Sequence, residues 1–286
     1  SIISEGWCHD LPRTIYANLV RVNVSNKWFE VYRLDNDVFA IYEPQQWQEV
    51  ISYLILGKEK ALLFDSGNGI GEISEIVNEL TSLPVLVLNS HTHFDHIGGN
   101  AEFRDILAMD TDYTRNNAAG YSNELVREEI SEEALCGSLP AEINPATYYT
   151  PSFIVKTFIR DGYKIDLGGR ILEVLSTPGH TPDAISLLDL DLGLLWVGDI
   201  YYQGPIWLFV PETDLDVFYN SVKRLCNMVP HLITLHPAHN SPIAQPQSLY
   251  ALKKALINVQ NGTISGKVIS GGRLEYIFQE FSLIIK

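Results

Sequence analysis

The 286-residue chain has few cysteines, few basic residues and no long apolar run. Its three cysteines, Cys8, Cys136 and Cys226, are far apart and odd in number, and no two form a Cys-x-x-Cys pair. That excludes a small disulfide scaffold and a cysteine-rich metal knuckle, and predicts unpaired, buried thiols acting as small apolar groups. Lys and Arg number 20 against 35 Asp and Glu, a formal net charge of −15. Such a balance argues against a nucleic-acid phosphate backbone as partner. No stretch approaches the roughly 20 apolar residues of a membrane span, so no membrane partner is expected either. A soluble protein is expected, cytoplasmic, or periplasmic or secreted if a signal peptide has been removed ahead of Ser1. Its oligomeric state is left open. No serine, cysteine or lysine nucleophile motif is visible.

Hydrophobic residues make up 46% and charged residues 19%, enough apolar material for a sizeable core. Repeats, low-complexity tracts and clear linkers are missing, so a single domain over 1–286 is expected. Residues 15–24 read as an arm or a first strand. Trp28–Leu34 and Val38–Tyr42 flank the turn cluster Asp35-Asn36-Asp37 and predict a hairpin, as do residues 50–56 and 61–64 about Gly57. Ile73, Ile76, Val77 and Leu80 recur at helical spacing over 71–82. Eighty-three residues (97–179) separate His96 from His180. That exceeds what one strand and one helix need, and predicts a helical insertion at about 108–150, built from 108–118 and 122–136. It would either cover the site or form a peripheral helical pair. Later come strands over 171–175, 185–190, 194–197 and 232–235, helices over 214–228 and 247–260, and two β-like runs at the end.

The chemistry concentrates where buried strands stop. The apolar run Pro84–Leu88 leads into His91-Thr92-His93-Phe94-Asp95-His96-Ile97-Gly98-Gly99-Asn100. In extended chain His91 and His93 point the same way, and Asp95 and His96 can fold back from the next turn. Clustered nitrogen and carboxylate donors are what a zinc-type ion prefers. A solvated loop would explain one histidine, not this cluster. Strand, turn and metal-type donor recur at Pro178-Gly179-His180, Gly198-Asp199 and Pro237-Ala238-His239, with His236 as the alternative to His239.

Together with Asp65-Ser66-Gly67 and Thr177-Pro178-Gly179-His180-Thr181, these motifs resemble those of the metallo-β-lactamase superfamily, in the family order. The resemblance implies an α+β fold, an αββα sandwich of two mixed β-sheets flanked by helices. It implies two metal ions, zinc first, with manganese or iron as alternatives. His91, His93 and His180 would hold one; Asp95, His96 and His239 the other; Asp199 would bridge them. Asp65 would orient a ligand imidazole, or be a plain turn residue. The implied activity is hydrolysis of a small ester, lactone or related acyl substrate by metal-bound hydroxide, with Asp95 guiding a proton. Asp199 stands where dedicated zinc β-lactamases commonly carry another residue. Ile200–Gly204 lacks the cation of the glyoxalase II branch. Tyr202, three residues after Asp199, matches a tyrosine of the quorum-quenching lactonases; its phenol would donate to an oxyanion, or simply pack. Residues 205–210 would line an acyl pocket or belong to the core. A β-lactamase, a phosphodiesterase and a non-catalytic metal-binding effector are the alternatives.

Overall fold

The computed structural model describes residues 2–286. It contains two compact units, Ile3–Arg160 with Ile165–Ile171, and Asp161–Lys164 with Leu172–Lys286.

The first unit is built on one eight-stranded sheet in sequential order. Its strands are β1 (Val20–Val22), β2 (Glu30–Leu34), β3 (Val38–Tyr42), β4 (Ile51–Leu56), β5 (Ala61–Phe64), β6 (Val85–Leu88), β7 (Ile106–Met109) and β8 (Thr157–Ile159). β1 to β5 form an antiparallel meander. The three-residue β2–β3 turn, Asp35–Asp37, is tight because Asn36 and Asp37 take positive φ (65° and 57°), a conformation that Asn and Asp tolerate. From β5 onward the pairing is parallel, which requires crossovers. The first is helix α1 (Ile73–Leu80), whose Ile73, Ile76 and Val77 enter a core with Phe29, Leu63 and Val87.

Three expectations need correction here. Ala108 is strand, not helix: β7 pairs parallel with β6 and is buried along its length, so it has no helical or alternating signature. The helix expected over 122–136 is one turn, α4 (Asn123–Val126), followed by 3-10 turns at Arg127–Ile130 and Glu132–Ala134. Buried Val126, Ile130 and Ala134 recur every four residues and imitate a helix, while Ser131 between them is extended (φ −64°, ψ 163°). Helix proper is otherwise confined in this stretch to α3 (Asp112–Asn117), capped by the Thr111 side chain, which accepts from the Thr114 N–H.

The third concerns cysteine. Cys8 and Cys136 form a disulfide, Cα atoms 5.6 Å apart and 128 residues apart in sequence. Composition and spacing carry no trace of a pairing made by tertiary proximity. The bond ties an N-terminal arm of two 3-10 turns, Trp7–Asp10 and Thr14–Asn18, to the segment after α4. Beside it the Trp7 indole donates to Glu133 O at 2.9 Å, and Arg13 makes a two-pronged ion pair with Glu49 (2.8 and 2.7 Å). Cys226 remains a buried free thiol.

The second unit holds a five-stranded sheet, ordered β14-β12-β11-β10-β9, and a four-stranded sheet, ordered β13-β17-β16-β15. The former uses β9 (Lys164–Asp166), β10 (Ile171–Ser176), β11 (Ile185–Asp189), β12 (Leu194–Gly198) and β14 (Thr234–Pro237). The latter uses β13 (Gly204–Leu208), β15 (Lys267–Val268), β16 (Leu274–Ile277) and β17 (Phe281–Ile285). Helices α5 (Leu215–Cys226) and α6 (Ser248–Gln260) bury Phe218, Val222, Leu249 and Leu252 in a core with Leu235 and Leu283. The apolar run after Asp199 is therefore mostly strand: β13 pairs parallel with β17, from the end of the chain. Among the described residues no helix is long and apolar enough to cross a membrane.

Candidate metal centre

Each unit gathers His and Asp donors at the ends of its strands. In the first, the chain leaves β6 through Asn89, bends at Ser90 and His91, and passes from His93 into the single-turn helix α2 (Phe94–Ile97). His91 Nε2 lies 3.1 Å from His93 Nδ1. Asp95 and His96 sit on α2, with His96 Nε2 3.1 Å from Asp95 Oδ2. His91, Asp95 and His96 are buried.

Asp65, at the end of β5, adopts φ 70° and turns its carboxylate under this turn. It accepts from Ser90 N (2.7 Å), Ser90 Oγ (2.8 Å) and His96 Nδ1 (2.8 Å). The backbones of the two turns touch: a Cβ on Gly98 would lie 2.2 Å from Asn68 C and 2.3 Å from Gly69 N, so only glycine fits there. Asn89, Asn100 and Ser66 knit them together. Asn89 Nδ2 donates to His96 O at 2.8 Å, Asn100 Nδ2 to Asn89 Oδ1 at 2.8 Å, and Ser66 Oγ to Asn100 Oδ1 at 2.6 Å. Residues at and after the end of α3 reach the turn as well: Asn117 Nδ2 donates to Thr92 Oγ1 (3.0 Å) and Tyr121 OH to Thr92 O (2.8 Å).

In the second unit the parallel pair β12–β14 delivers Asp199 and His239 at the same end of the sheet. His239 Nε2 lies 3.0 Å from Asp199 Oδ1. His180, in the β10–β11 turn, puts Nε2 3.4 Å from Asp199 Oδ2. Gly179 (φ 137°) packs against α5 so closely that a Cβ would stand 2.3 Å from Phe218 Cα. His236 is elsewhere engaged: its Nδ1 meets Pro242 O at 2.8 Å and its ring packs on Trp196. Tyr202 packs its ring, tilted by 59°, 4.9 Å from that of His239, and its hydroxyl donates to Pro205 O at 2.7 Å.

The donor chemistry fits a divalent cation. Asp65 and Trp207 O can only accept, so His96 Nδ1 and His180 Nδ1 (2.9 Å from Trp207 O) carry the protons. That leaves each Nε2 facing a carboxylate oxygen, Asp95 Oδ2 or Asp199 Oδ2, at a distance that a shared cation, metal ion or proton, would satisfy. Buried imidazole nitrogens and carboxylates, with each ring fixed from behind, are a preferred setting for a transition-metal ion. Within the units, His91 with His93, Asp95 with His96, and Asp199 with His239 offer ligand atoms within 4.8 Å of each other. Asp65→Asn is expected to weaken metal binding about 10- to 100-fold, read by competition with a chromophoric chelator; unchanged affinity would remove Asp65 from this role.

Two further carboxyls, Glu43 buried and Glu129 half-buried, carry no sequence signal. Glu43 accepts from the Trp28 indole (2.9 Å) and Asn68 N (3.3 Å). Glu129 accepts from the Trp47 indole (3.0 Å) and Gln46 Nε2 (3.2 Å). Burial pushes Glu43 up to about 7, against the donors that hold it down, and does the same to Glu129. A carboxyl raised on folding stabilises the fold below its ordinary value near 4.5 and loses that contribution as pH rises through about 7. The denaturation midpoint of metal-free protein should therefore fall more steeply across that window than in Glu43→Gln or Glu129→Gln. Parallel profiles would show that neither carboxyl takes up a proton on folding.

A model of the metallo-beta-lactamase superfamily matches residues 47–264. The chain belongs to that superfamily. It is 26% identical over 218 residues to the Homo sapiens acyl-coenzyme A thioesterase MBLAC2, covering 71% of this chain and 77% of that one. It is 28% identical over 188 residues to the probable metallo-hydrolase YqgX of Bacillus subtilis, covering 66% and 80%. Among solved structures, a metallo-beta-lactamase from Pontibacter korlensis aligns with TM-score 0.58 at 18% identity, covering 80% of this chain and 99% of that one. The archaeal superfamily protein ST1585 from Sulfolobus tokodaii aligns with TM-score 0.52 at 19% identity, covering 73% and 81%. The chain thus has the α+β fold of its superfamily, mixed sheets with helices.

Proposed function

We propose that this superfamily member is a dinuclear metal-dependent hydrolase of small acyl compounds: esters, thioesters and lactones. His91, His93 and His180 would hold one ion and Asp95, His96 and His239 the other, with Asp199 bridging. The observation that carries the reading is the posture of Asp199, which turns one oxygen to His180 and the other to His239. Zinc is the proposed ion; manganese and iron accept the same donors. When bound, the ions would supply Lewis acidity toward a carbonyl oxygen and bring the pKa of water to about 7.

The chain's own residues supply the order around that chemistry. Asp65 holds the His96 ring, Trp207 O holds the His180 ring, and the Asp95 carboxylate is the group assigned to take up a proton. The Tyr202 phenol would serve an oxyanion on leaving Pro205 O. An acyl substrate is supported by the human relative, an acyl-coenzyme A thioesterase. The test is metal analysis of protein purified without added metal, then a panel of ester, lactone, thioester, β-lactam and phosphodiester. Turnover of the acyl compounds, lost on chelation and restored by metal, is expected. Bound metal without any turnover would favour a non-catalytic binding protein, and no metal uptake would end the hydrolytic reading.

A further inference from the structure

The segment that follows Asp199 is tied to the His180 turn at both ends. At one end, His180 Nδ1 donates to Trp207 O (2.9 Å). At the other, Thr213 Oγ1 donates to His180 O (3.0 Å) and Asp214 N to Gly179 O (2.8 Å). Between these ties lie Trp207 and Phe209, ring centroids 5.0 Å apart. Arg273, at the start of β16, lays its guanidinium 4.1 Å from the centre of the Phe209 ring. Gly271 and Gly272 (φ 76° and 73°) bring it there, and a Cβ on Gly271 would stand 3.4 Å from the guanidinium carbon. Trp207 and Arg273 are half-buried.

Among the described residues Arg273 has this ring contact and no ion pair or side-chain hydrogen bond. Arg115 shows the contrast: it too stacks on a ring, Phe158, but is neutralised by Asp110. An arginine left without a carboxylate in a chain of net charge −15 is a fixed cation held by aromatic stacking, with its N–H edge available. That fork matches the two oxygens of a carboxylate or phosphate. The rest of the molecule repels anions at long range, so a local cation on the ring pair that begins at Trp207 would favour an anionic group there.

We infer that Trp207, Phe209 and Arg273 form a substrate-selecting platform beside His180, on which Arg273 binds an anionic group, phosphate or carboxylate, carried by the acyl substrate. This rests on the hydrolase reading for its reaction, not for its binding chemistry. Three thioesters test it on the metal-loaded protein: neutral S-acetyl-N-acetylcysteamine, acetyl-coenzyme A with phosphates on the leaving group, and S-succinyl-N-acetylcysteamine with a carboxylate on the acyl group.

The wild type should prefer one anionic thioester over the neutral one in kcat/KM. Arg273→Gln should cut that ratio on the order of tenfold or more, mainly through KM, as loss of a charge-assisted bond implies; Arg273→Lys should recover part of it. Whichever anionic thioester is preferred identifies the phosphate or the carboxylate as the group bound. An equal ratio in wild type and Arg273→Gln would overturn the inference. Should no thioester be cleaved, the hydrolase reading fails on its own, and calorimetry with desulfo-coenzyme A and with succinate decides Arg273 separately. Binding weakened in Arg273→Gln upholds the platform; binding equal in both, or in neither, rejects it.

Discussion

Asp199→Ala is expected to lower turnover of any substrate on the order of a thousandfold or more and to reduce metal content. Asp199 faces two imidazoles, His180 and His239, each through a different oxygen. Its removal takes away a charge from both ligand positions at once. The several kcal/mol a metal ion contributes to charge stabilisation correspond to that loss, at 1.36 kcal/mol per decade. Elemental analysis and kcat/KM on the same preparation read both effects. A variant with full metal content and turnover within tenfold of wild type would refute the bridging role and leave Asp199 as a hydrogen-bonding neighbour of two histidines. His236→Ala is the natural comparison, because His236 bonds Pro242 O and packs on Trp196.

Removal of the Cys8–Cys136 disulfide should be the largest stability change available from a polar-to-polar exchange. The bond closes a loop of 128 residues, and native disulfides typically contribute about 2–5 kcal/mol by restricting the unfolded chain. Cys8→Ser with Cys136→Ser should shift the denaturant midpoint by that amount, and dithiothreitol should reproduce the shift in wild type but not in the double variant. Equal stability of the two proteins would mean that Trp7, with its bond to Glu133 O, and the Arg13–Glu49 pair already hold the arm in place. A disulfide of this kind persists in oxidising surroundings, so the same titration bears on which compartments suit the protein.

The residues at strand ends were legible because their signal is local. Each candidate ligand stands directly after a buried strand, in a turn whose glycine or proline is visible in the same few residues. His91 to His96 could be placed together from spacing alone; Asp199 and His239 needed the resemblance, since their proximity depends on β12 and β14 pairing in parallel. The supporting polar groups left no pattern. Asn89, Asn100 and Ser66 are single small residues 11 and 34 positions apart in their bonds. Glu43 sits before a proline and reads as a turn residue, though it is buried beneath Trp28 and Asn68. Strand β13 was read as loop or core because its partner, β17, lies at the far end of the chain. Local reading finds what a turn presents and misses what distant segments contribute to each other.

The double attachment of residues 207–214 to the His180 turn has a consequence for how this protein can change. A segment bonded at both ends to the turn of a candidate ligand histidine resists lengthening or shortening for a new substrate, since either would disturb the imidazole it carries. The hairpin that presents Arg273 is joined to this segment through the Phe209 ring. Selection for altered substrates, in the laboratory or in descent, should therefore accumulate exchanges around 270–277 far sooner than in 207–214, with affinity for metal retained in the first group and eroded in the second.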